Sequence, residues 1–440
     1  MRQPAPPLLL INPWIYDFAA YNFFAQPLGL LYLAGLLLAR GYDVHLLDCL
    51  GNSLSHQGPF GTGRYHKEVL PTPPVLTGVP RRWGRYGISE DACRQRLLQV
   101  PKPAAILITS LMTYWYPGVQ NVIRLAREVF PDVPVLVGGI YATLCPEHAR
   151  RHSGADIVVS GPGEATVLHT LTTVTGLNHD HYIPGDLDYL PYPALSLALN
   201  LYFIPLLTSR GCPYRCDYCA SHLLQPRYQR RQPLAVVEEL LYWQDTLHLV
   251  DVAFYDDALL LEADDHLLLI LEELARRQRV FRFHTPNALH ARAITPEVAR
   301  WLKKSNFATL RLGGETTALG NARRDNKLAA GELETALAYL FEAGFRRDQV
   351  GVYLLLGLPG QEDEEVAASI RRVKELGATP ILAQYSPIPG TSLWPEAVAC
   401  SRYQLQDDPL FHNNSIFPCW PEFSWERYSR LKELAQMRES

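Results

Sequence analysis

Residues 208–219 read Thr-Ser-Arg-Gly-Cys-Pro-Tyr-Arg-Cys-Asp-Tyr-Cys and place three cysteines, Cys212, Cys216 and Cys219, within eight positions. Thiolates are soft ligands that suit iron–sulfur clusters and zinc. One loop with three cysteines can ligate three irons of a four-iron cubane and leave the fourth iron open to a substrate. Zinc usually requires a fourth Cys or His at short spacing, and His222 is available. The spacing therefore favours an iron–sulfur cluster and leaves zinc as the alternative.

Short apolar stretches alternate with helical patterns over residues 200–395, and the cysteine loop follows the first of them. This repeat of βα units predicts a partial, TIM-like parallel barrel whose active site lies at the carboxyl ends of its strands. The predicted strands are Tyr202–Leu207, Asp251–Tyr255, Arg282–Thr285, Thr309–Leu312, Gly351–Leu356 and Pro380–Tyr385, with helices at Pro233–Leu247, Asp264–Arg277, Pro296–Ser305, Ala329–Ala343 and Asp363–Leu376.

Residues 1–175 alternate in the same way and predict a separate α/β domain with a doubly wound parallel sheet. Residues 51–92 interrupt this domain as an insertion rich in Gly, Pro, Arg and aromatic residues. Residues 176–199 contain three prolines and predict a linker, and residues 396–440 form a C-terminal tail. The predicted strands of the domain are Pro7–Ile11, Asp43–Asp48, Ala105–Thr109, Pro134–Gly138 and Asp156–Ser160, and its helices are Pro27–Arg40, Val119–Phe130, Pro146–His152 and Gly163–Thr173.

Composition and charge limit the partners and the cellular compartment that we expect for this protein. The net charge of −4 gives no electrostatic reason to expect nucleic acid or a membrane surface as a partner. No targeting segment is visible, and the apolar run 27–39 is shorter than the roughly 20 residues that span a bilayer. The eight cysteines are unevenly spread, which is a poor disulfide framework and favours metal ligation in a reducing compartment. We therefore expect a cytoplasmic protein.

Each predicted barrel strand after the first ends in a short motif of polar residues or glycines. Together with the Cys-x3-Cys-x2-Cys loop and the aromatic Tyr218 before its last cysteine, these motifs resemble the radical S-adenosylmethionine (SAM) superfamily, in the branch with an N-terminal cobalamin-binding domain. The motifs are Phe254-Tyr255-Asp256-Asp257, Thr285-Pro286-Asn287, Leu312-Gly313-Gly314-Glu315-Thr316, Leu356-Gly357-Leu358-Pro359-Gly360-Gln361 and Ser386-Pro387-Ile388-Pro389-Gly390-Thr391.

The resemblance implies a [4Fe–4S] cluster, SAM bound to its open iron, a 5′-deoxyadenosyl radical, and an electron donor such as flavodoxin or ferredoxin. It implies that the carboxylates of Glu315 and Asp256 act in the reaction, where they can bind the cofactor's ammonium group or ribose hydroxyls. A basic residue among 323–327 would meet the carboxylate of SAM, and aromatic or backbone groups would flank its adenine. The further cofactor-binding residues expected in the barrel are Tyr218, Asp257, Asn287, Arg324, Leu355 and Gly357.

The N-terminal region resembles the cobalamin-binding domain of the same branch at residues 10–13, 27–34, 109–113, 138–142 and 161–164. Glycines after a strand let a flat macrocycle or a nucleotide tail approach the backbone, and small hydroxyl side chains can bond the tail. The alternative is a generic Rossmann-like domain in which the glycine pair is only a tight turn. The residues expected to bind cobalamin are Ser110, Leu111, Thr113, Gly138, Gly139, Ile140, Tyr141, Gly161 and Glu164.

The loop after the first strand lacks the Asp-x-His-x-x-Gly motif that supplies a histidine to cobalt in many cobalamin proteins. It carries Trp14, Tyr16, Phe18 and Tyr21, which we expect to cover the lower face of the macrocycle. The alternative is that these aromatics are core packing in an empty domain.

The insertion holds three arginines and two aromatics between residues 81 and 86. They suggest either a cap that grips an anionic group through guanidinium forks or a packed loop with solvated arginines.

The expected function is that of a radical SAM enzyme that uses cobalamin for methyl transfer, or for a radical cyclisation or rearrangement, of a small molecule. One alternative is a radical SAM enzyme whose N-terminal domain binds no cobalamin. Another, from a different class, is a cobalamin or metal sensor without turnover.

Overall fold

The computed structural model describes residues 7–51, 53–176, 187–315, 328–420 and 422–437. It divides the chain into two compact units, Met1–Tyr202 and Phe203–Ser440. Among the described residues, no helix has both the length and the apolar composition needed to cross a bilayer.

A five-stranded, fully parallel sheet forms the centre of the first unit. Its strands are β1 (Pro7–Asn12), β2 (Asp43–Asp48), β3 (Ala105–Ile108), β4 (Val135–Val137) and β5 (Ile157–Val158). Their order across the sheet is β5-β4-β3-β1-β2, so the winding direction reverses between β1 and β3. In open α/β sheets, ligands bind outside the carboxyl ends of the strands at such a switch point.

Both faces of this sheet are buried, as the four fully buried residues Leu8 to Ile11 of β1 show. Leu8 and Leu10 belong to one apolar cluster, whereas Leu9 and Ile11 belong to another. A strand with apolar side chains on both faces is typical of a parallel sheet that helices cover on both sides. The helices of this unit are α1 (Leu28–Ala39), α2 (Glu90–Gln99), α3 (Tyr116–Val129), α4 (Ile140–Leu144), α5 (Pro146–His152) and α6 (Val167–Thr175).

The insertion is folded rather than irregular. It forms two small antiparallel sheets of three strands each, and in both sheets one strand comes from the segment directly after β1. One sheet pairs Ile15–Asp17 with Gly84–Tyr86, which also pairs with Lys67–Val69. The other pairs Gly63–Tyr65 with both Tyr21–Asn22 and Leu54–Gln57. Residues 15–22 and the insertion therefore form one structural layer.

The second unit contains a six-stranded parallel sheet whose strands follow one another in chain order. The predicted partial barrel is thus confirmed, with its first and last strands at the two edges. The strands are β6 (Ile204–Leu206), β7 (Asp251–Phe254), β8 (Arg282–His284), β9 (Phe307–Glu315), β10 (Val350–Leu356) and β11 (Thr379–Gln384). The helices are α7 (Ser221–Leu224), α8 (Pro233–Leu247), α9 (Leu267–Arg276), α10 (Pro296–Lys304), α11 (Glu332–Glu342), α12 (Asp363–Glu375), α13 (Trp394–Cys400) and α14 (Trp425–Gln436).

The two faces of this curved sheet differ in chemistry. One face is apolar and fully buried, with side chains such as Phe283, Leu310 and Val352. Because side chains alternate along a strand, the residues between them point to the other face, which we call the lumen. The lumen carries polar side chains from four strands: Asp251, His284, Thr309, Arg311 and Tyr353.

Candidate active site

The cysteine loop begins at the carboxyl end of β6 and is closed at its base. Ser209 and Arg210 pair antiparallel with Arg230 and Gln229. Gly211 has a φ of +79°, and a Cβ at this position would lie 2.7 Å from the main-chain oxygen of Arg227. Only glycine tolerates both the left-handed conformation and this close approach. The backbone just before Cys212 is therefore fixed by the loop's own closure.

The three cysteines fit a cluster by their chemistry. None of the three forms a disulfide; Cys216 is buried, and Cys212 and Cys219 are half-buried. The main-chain N–H of Cys219 donates to the oxygen of Cys216 (3.0 Å), and that of Ser221 donates to the sulfur of Cys219 (3.5 Å). Hydrogen bonds to sulfur tune the reduction potentials of iron–sulfur clusters. In the described part of the chain, no three His, Cys, Asp or Glu side chains converge on one metal-ion position.

Asp256 holds the start of the loop. Its carboxylate accepts hydrogen bonds from the main-chain N–H of Thr208 (3.1 Å), from the Thr208 hydroxyl (2.7 Å) and from the Ser209 hydroxyl (2.6 Å). The imidazole of His266 lies 3.0 Å from the Thr208 hydroxyl and completes the network. Burial raises the pKa of Asp256, and these hydrogen bonds oppose the rise. The structure thus places Asp256 as a support for the cysteine loop, and its predicted part in the reaction stays a prediction.

Glu315 ends β9 in a strained conformation. Its φ is +47°, which is rare for a residue with a side chain, and such strain clusters at functional sites. The pairing of β9 with β10 shifts by one residue between Gly313 and Glu315. A Cβ on Gly313 would lie 3.0 Å from Oε1 of Glu315, so the carboxylate folds back over this glycine. Gly313 therefore makes room for the carboxylate of Glu315 at the lumen's rim.

Hydrogen bonds fix two more of the predicted barrel residues. The amide of Asn287 donates to the main-chain oxygens of Tyr255 (2.9 Å) and Asp256 (3.3 Å), which links the ends of β7 and β8. The main-chain N–H of Gly357 donates to the side-chain oxygen of Gln361 (2.8 Å).

The remaining predicted barrel residues are only partly placed. Tyr218 and Leu355 pack against the same apolar cluster, so the structure brings these two together. Asp257 is half-buried beside the strand end. Arg324 lies outside the described residues.

Sequence reasoning missed several residues that position the site. Gln361 closes the turn after β10, because its amide also donates to the oxygen of Leu355 (3.0 Å). Arg231 donates to the oxygen of Leu207 (3.2 Å) and forms a buried ion pair with Glu239. Gln361 belongs to the strand-end motif at residues 356–361. By contrast, nothing near Arg231 and Glu239 in the sequence marks them as supports of the cysteine loop.

In the first unit, the loops after β3 and β4 are joined at the carboxyl edge of the sheet. The Ser110 hydroxyl donates to the oxygen of Gly138 (2.6 Å), and the N–H of Ile140 donates to the oxygen of Ser110 (2.7 Å). Gly139 has a φ of +92°, and a Cβ there would lie 2.4 Å from the oxygen of Ser110. Gly139 is therefore needed for loop packing itself.

Two other glycines leave open backbone at this edge. A Cβ on Gly161 would meet nothing within 4 Å, and one on Gly138 would meet only the oxygen of Val159 at 3.7 Å. This open backbone fits a flat ligand. Tyr141 is fully buried, and its hydroxyl lies 2.7 Å from Nδ1 of His148, so it packs inside the domain. The other predicted residues are buried (Thr113) or half-buried (Leu111, Ile140 and Glu164).

The aromatic residues after β1 mostly point inwards. Trp14 is buried and donates its ring N–H to the oxygen of Ile88 (2.7 Å). Phe18 is buried with its ring edge against Trp83. Trp14 belongs to the apolar cluster that contains Val119 and Val122 of α3, whereas Phe18 packs against the insertion. Their burial favours core packing for these two residues, and the covering of a macrocycle by this segment stays a prediction. Tyr21 is 47% exposed and stacks on Phe23, which is 67% exposed.

Arg85 serves neither of the roles expected for the insertion's arginines. Its side chain is buried, forms ion pairs with Glu68 and Glu90, and lies over the ring of Trp14 at 5.1 Å. Buried charges require such partners, because an unpaired one is costly. Arg85 therefore fastens the insertion to α2, and Arg82 remains exposed.

A polar cavity of about 240 Å³ opens at the carboxyl ends of β1 and β2. The Asn12 amide donates to the carboxylate of Asp48 (2.7 Å), and burial raises the pKa of Asp48. The side-chain oxygen of Asn12 is buried, and no group of the described residues hydrogen-bonds it. A cavity with such an acceptor suits a ligand that donates hydrogen bonds.

Comparisons with known proteins agree with this division. Residues 87–171 match the family model of the B12 binding domain, and residues 206–373 match that of the radical SAM superfamily. The second match contains the closed cysteine loop, Glu315 and the ends of β6 to β10. The chain therefore carries a B12-binding domain followed by a radical SAM domain. The predicted cofactor set of a [4Fe–4S] cluster, SAM and cobalamin is confirmed at the level of these two domain families, as is the class of enzyme.

Individual relatives of this radical SAM protein are distant. An uncharacterized methyltransferase of Pyrococcus horikoshii is 24% identical over 392 residues, which cover 80% of this chain and 79% of the relative. The anaerobic magnesium-protoporphyrin IX monomethyl ester cyclase of Rubrivivax gelatinosus is 24% identical over 247 residues, 49% of this chain and 38% of the relative.

Among solved structures, the radical SAM methyltransferase TsrM of Kitasatospora setae, with cobalamin and a [4Fe–4S] cluster bound, matches with a TM-score of 0.69 and 19% identity. The match covers 98% of this chain and 91% of that one. It confirms the predicted fold class.

Proposed function

We propose that this protein is a cobalamin-dependent radical SAM methyltransferase that acts on a small molecule. The observation that carries the proposal is the three-cysteine loop, closed at the end of β6, in a chain that also has a B12-binding domain. A bound cluster supplies the electron that splits SAM into a 5′-deoxyadenosyl radical, and a bound cobalamin supplies the methyl group. The methyltransferases among the relatives support methylation over the other radical reactions.

The chain's own residues bind and position these groups. Cys212, Cys216 and Cys219 would hold the cluster, because their thiols lie on one fixed loop and form no disulfide. Glu315 would bind the ammonium group or the ribose of SAM from the rim of the lumen. In the first unit, the open backbone at Gly138 and Gly161 would accept the corrin. The acceptor oxygen of Asn12 suits one of the amide groups on the corrin periphery.

A single preparation tests this function. The protein is reconstituted without oxygen with iron, sulfide and hydroxocobalamin, and is then given methyl-deuterated SAM and a cell extract. We expect about one cobalamin per chain after desalting, formation of 5′-deoxyadenosine, and a product heavier by the deuterated methyl group in mass spectra. A preparation that cleaves SAM but retains no cobalamin would contradict the cobalamin part and leave the radical part standing.

A further measurement on the same preparation tests which ligands the cobalt carries. The segment directly after β1 contains no histidine, and its aromatic rings are poor ligands. We expect cobalamin to bind with its own base displaced and with no protein nitrogen on the metal. Electron paramagnetic resonance of the Co(II) form then shows no nitrogen superhyperfine splitting. Splitting from one nitrogen would show that a histidine or the cofactor's base ligates.

Glu315→Gln tests the SAM-binding role of the rim carboxylate. Charge-assisted hydrogen bonds contribute about 1.5–3 kcal/mol, so we expect SAM affinity to fall roughly tenfold or more with iron content unchanged. Calorimetry on the reconstituted protein measures this. Glu342→Gln, at the exposed end of α11, is the control and should bind SAM like the wild type. Unchanged affinity in Glu315→Gln would assign Glu315 a structural role.

Cyclisation is the second candidate, because one relative is an anaerobic cyclase. In that case the product mass carries no deuterated methyl group, whereas 5′-deoxyadenosine still forms. We further propose that flavodoxin or ferredoxin supplies the electron and that the protein works in the cytoplasm. The eight cysteines, none of which forms a disulfide, support a reducing compartment.

A further inference from the structure

Arg311 lies in the lumen at the middle of β9. Its register partner on β10 is Gly351, and a Cβ there would lie 3.1 Å from Cδ and 3.2 Å from Nη1 of Arg311. The absence of a side chain at Gly351 of β10 thus leaves space for the guanidinium of Arg311. Arg311 precedes Glu315 by four residues, roughly 13 Å along a strand, so it belongs to a deeper layer of the lumen than the rim carboxylate.

The guanidinium is held in place without an acidic partner. Nη1 donates to the main-chain oxygen of Leu310 (2.9 Å), and the group also bonds the phenol oxygen of Tyr353. The Tyr353 hydroxyl in turn donates to the oxygen of Pro286 (3.0 Å), which fixes the phenol. Among the described residues, no carboxylate forms an ion pair with Arg311. Because a guanidinium has five N–H donors, several remain for a ligand.

Arg282, another arginine of the same sheet, differs from Arg311 because it has an acidic partner. Arg282 binds the carboxylate of Asp251 with two hydrogen bonds of 2.5 and 2.6 Å, and His284 adds a contact of 2.8 Å to the same carboxylate. Arg282 is therefore neutralised within the fold. Burial instead lowers the pKa of Arg311, and among the described residues only the phenol of Tyr353 opposes this shift. A half-buried cation without an anion costs stability, so its presence calls for a ligand.

We propose that Arg311 and Tyr353 form an oxyanion site in the lumen and that the substrate carries a carboxylate or phosphate group that binds there. The planar fork of arginine matches either oxyanion with paired hydrogen bonds, and the fixed phenol borders the same position. The inference rests on the proposed radical function, since it places the substrate in this lumen. It adds a substrate class to that function and a residue that selects for it.

The first test compares two substitutions by thermal unfolding of the full chain. Arg311→Met removes a cation without an acidic partner, so we expect Tm to rise by roughly 2 °C or more. Arg282→Met is the matched control: it leaves Asp251 and His284 without their cation, so we expect Tm to fall. If Arg311→Met lowers Tm as Arg282→Met does, Arg311 is a structural residue and the proposal is wrong.

The second test uses inorganic phosphate and acetate as ligands at constant ionic strength. We expect the Tm of the wild type to rise and saturate with at least one anion, and the response to vanish in Arg311→Met. A flat wild-type response to both anions, or an equal response in the variant, overturns the site.

SAM also carries a carboxylate, so its affinity is measured on both reconstituted proteins. We expect the two values to agree within about threefold. A tenfold loss in Arg311→Met would assign the guanidinium to the cofactor and overturn the substrate assignment. Iron content and 5′-deoxyadenosine formation by the wild type report separately on the proposed radical function.

Discussion

We expect the triple substitution of Cys212, Cys216 and Cys219 by alanine to abolish both the cluster and the formation of 5′-deoxyadenosine. The three thiols sit on one loop whose base is closed by Ser209 and Arg230, and thiolates are the ligands that hold such clusters. Iron and sulfide analysis, the visible absorption of the reconstituted protein, and chromatography of the reaction mixture measure the loss. Circular dichroism should stay unchanged, because the loop's closure uses main-chain groups.

Cys400→Ala is the matched control in the same unit. Cys400 is a half-buried cysteine at the end of α13 that forms no disulfide, and its sulfur lies 3.7 Å from the main-chain oxygens of both Ala397 and Cys419. The variant should hold as much iron as the wild type and cleave SAM at a similar rate. If the triple variant still bound nearly four irons per chain and cleaved SAM, the whole assignment of the radical site would fail.

We expect Gly211→Ala to lose most of its cluster although every thiol is present. A left-handed φ costs an alanine roughly 1–2 kcal/mol. The added Cβ would also approach the oxygens of Arg227 and Gln225 to 2.7 and 3.1 Å, so the loop must open. Since Cys212 is the next residue, the change displaces the first ligand. Iron content after reconstitution, compared with the wild type, measures the effect.

Gly331→Ala separates the steric effect from the conformational one. Gly331 has nearly the same φ, +83°, but a Cβ there would meet no atom of the described residues within 4 Å. The Gly331→Ala variant has the same conformational cost, at a position next to α11, and should bind the cluster normally. Equal iron contents in the two alanine variants would mean that closure of the loop does not position Cys212.

Strand and helix positions followed from apolar periodicity. β2 and α8 have the predicted bounds, and most other elements differ by one to three residues at their ends. Such elements are set by local patterns and by burial of apolar side chains. The carboxyl ends of the barrel strands could be predicted for the same reason. The cysteine loop and Glu315 could therefore both be assigned to the carboxyl edge of the sheet.

Contacts between distant residues could not be predicted in this way. The sequence predicts that Asp256 is a carboxylate at a strand end. Its hydrogen-bond donors Thr208 and Ser209, however, lie 48 and 47 residues away. No local pattern shows that these hydroxyls occupy its oxygens. The buried position of Trp14 likewise depends on Arg85 and Ile88, which arrive from the far end of the insertion.

The pairing of Ile15–Asp17 and Tyr21–Asn22 with strands of the insertion has a consequence for protein engineering. The segment after β1 and residues 54–86 are two halves of one module, although 31 residues lie between Asn22 and Leu54. A graft from a relative that exchanges only one half would leave the strands of the other half without their native pairing partners. Recombination between homologues should therefore succeed only when both halves are inherited together.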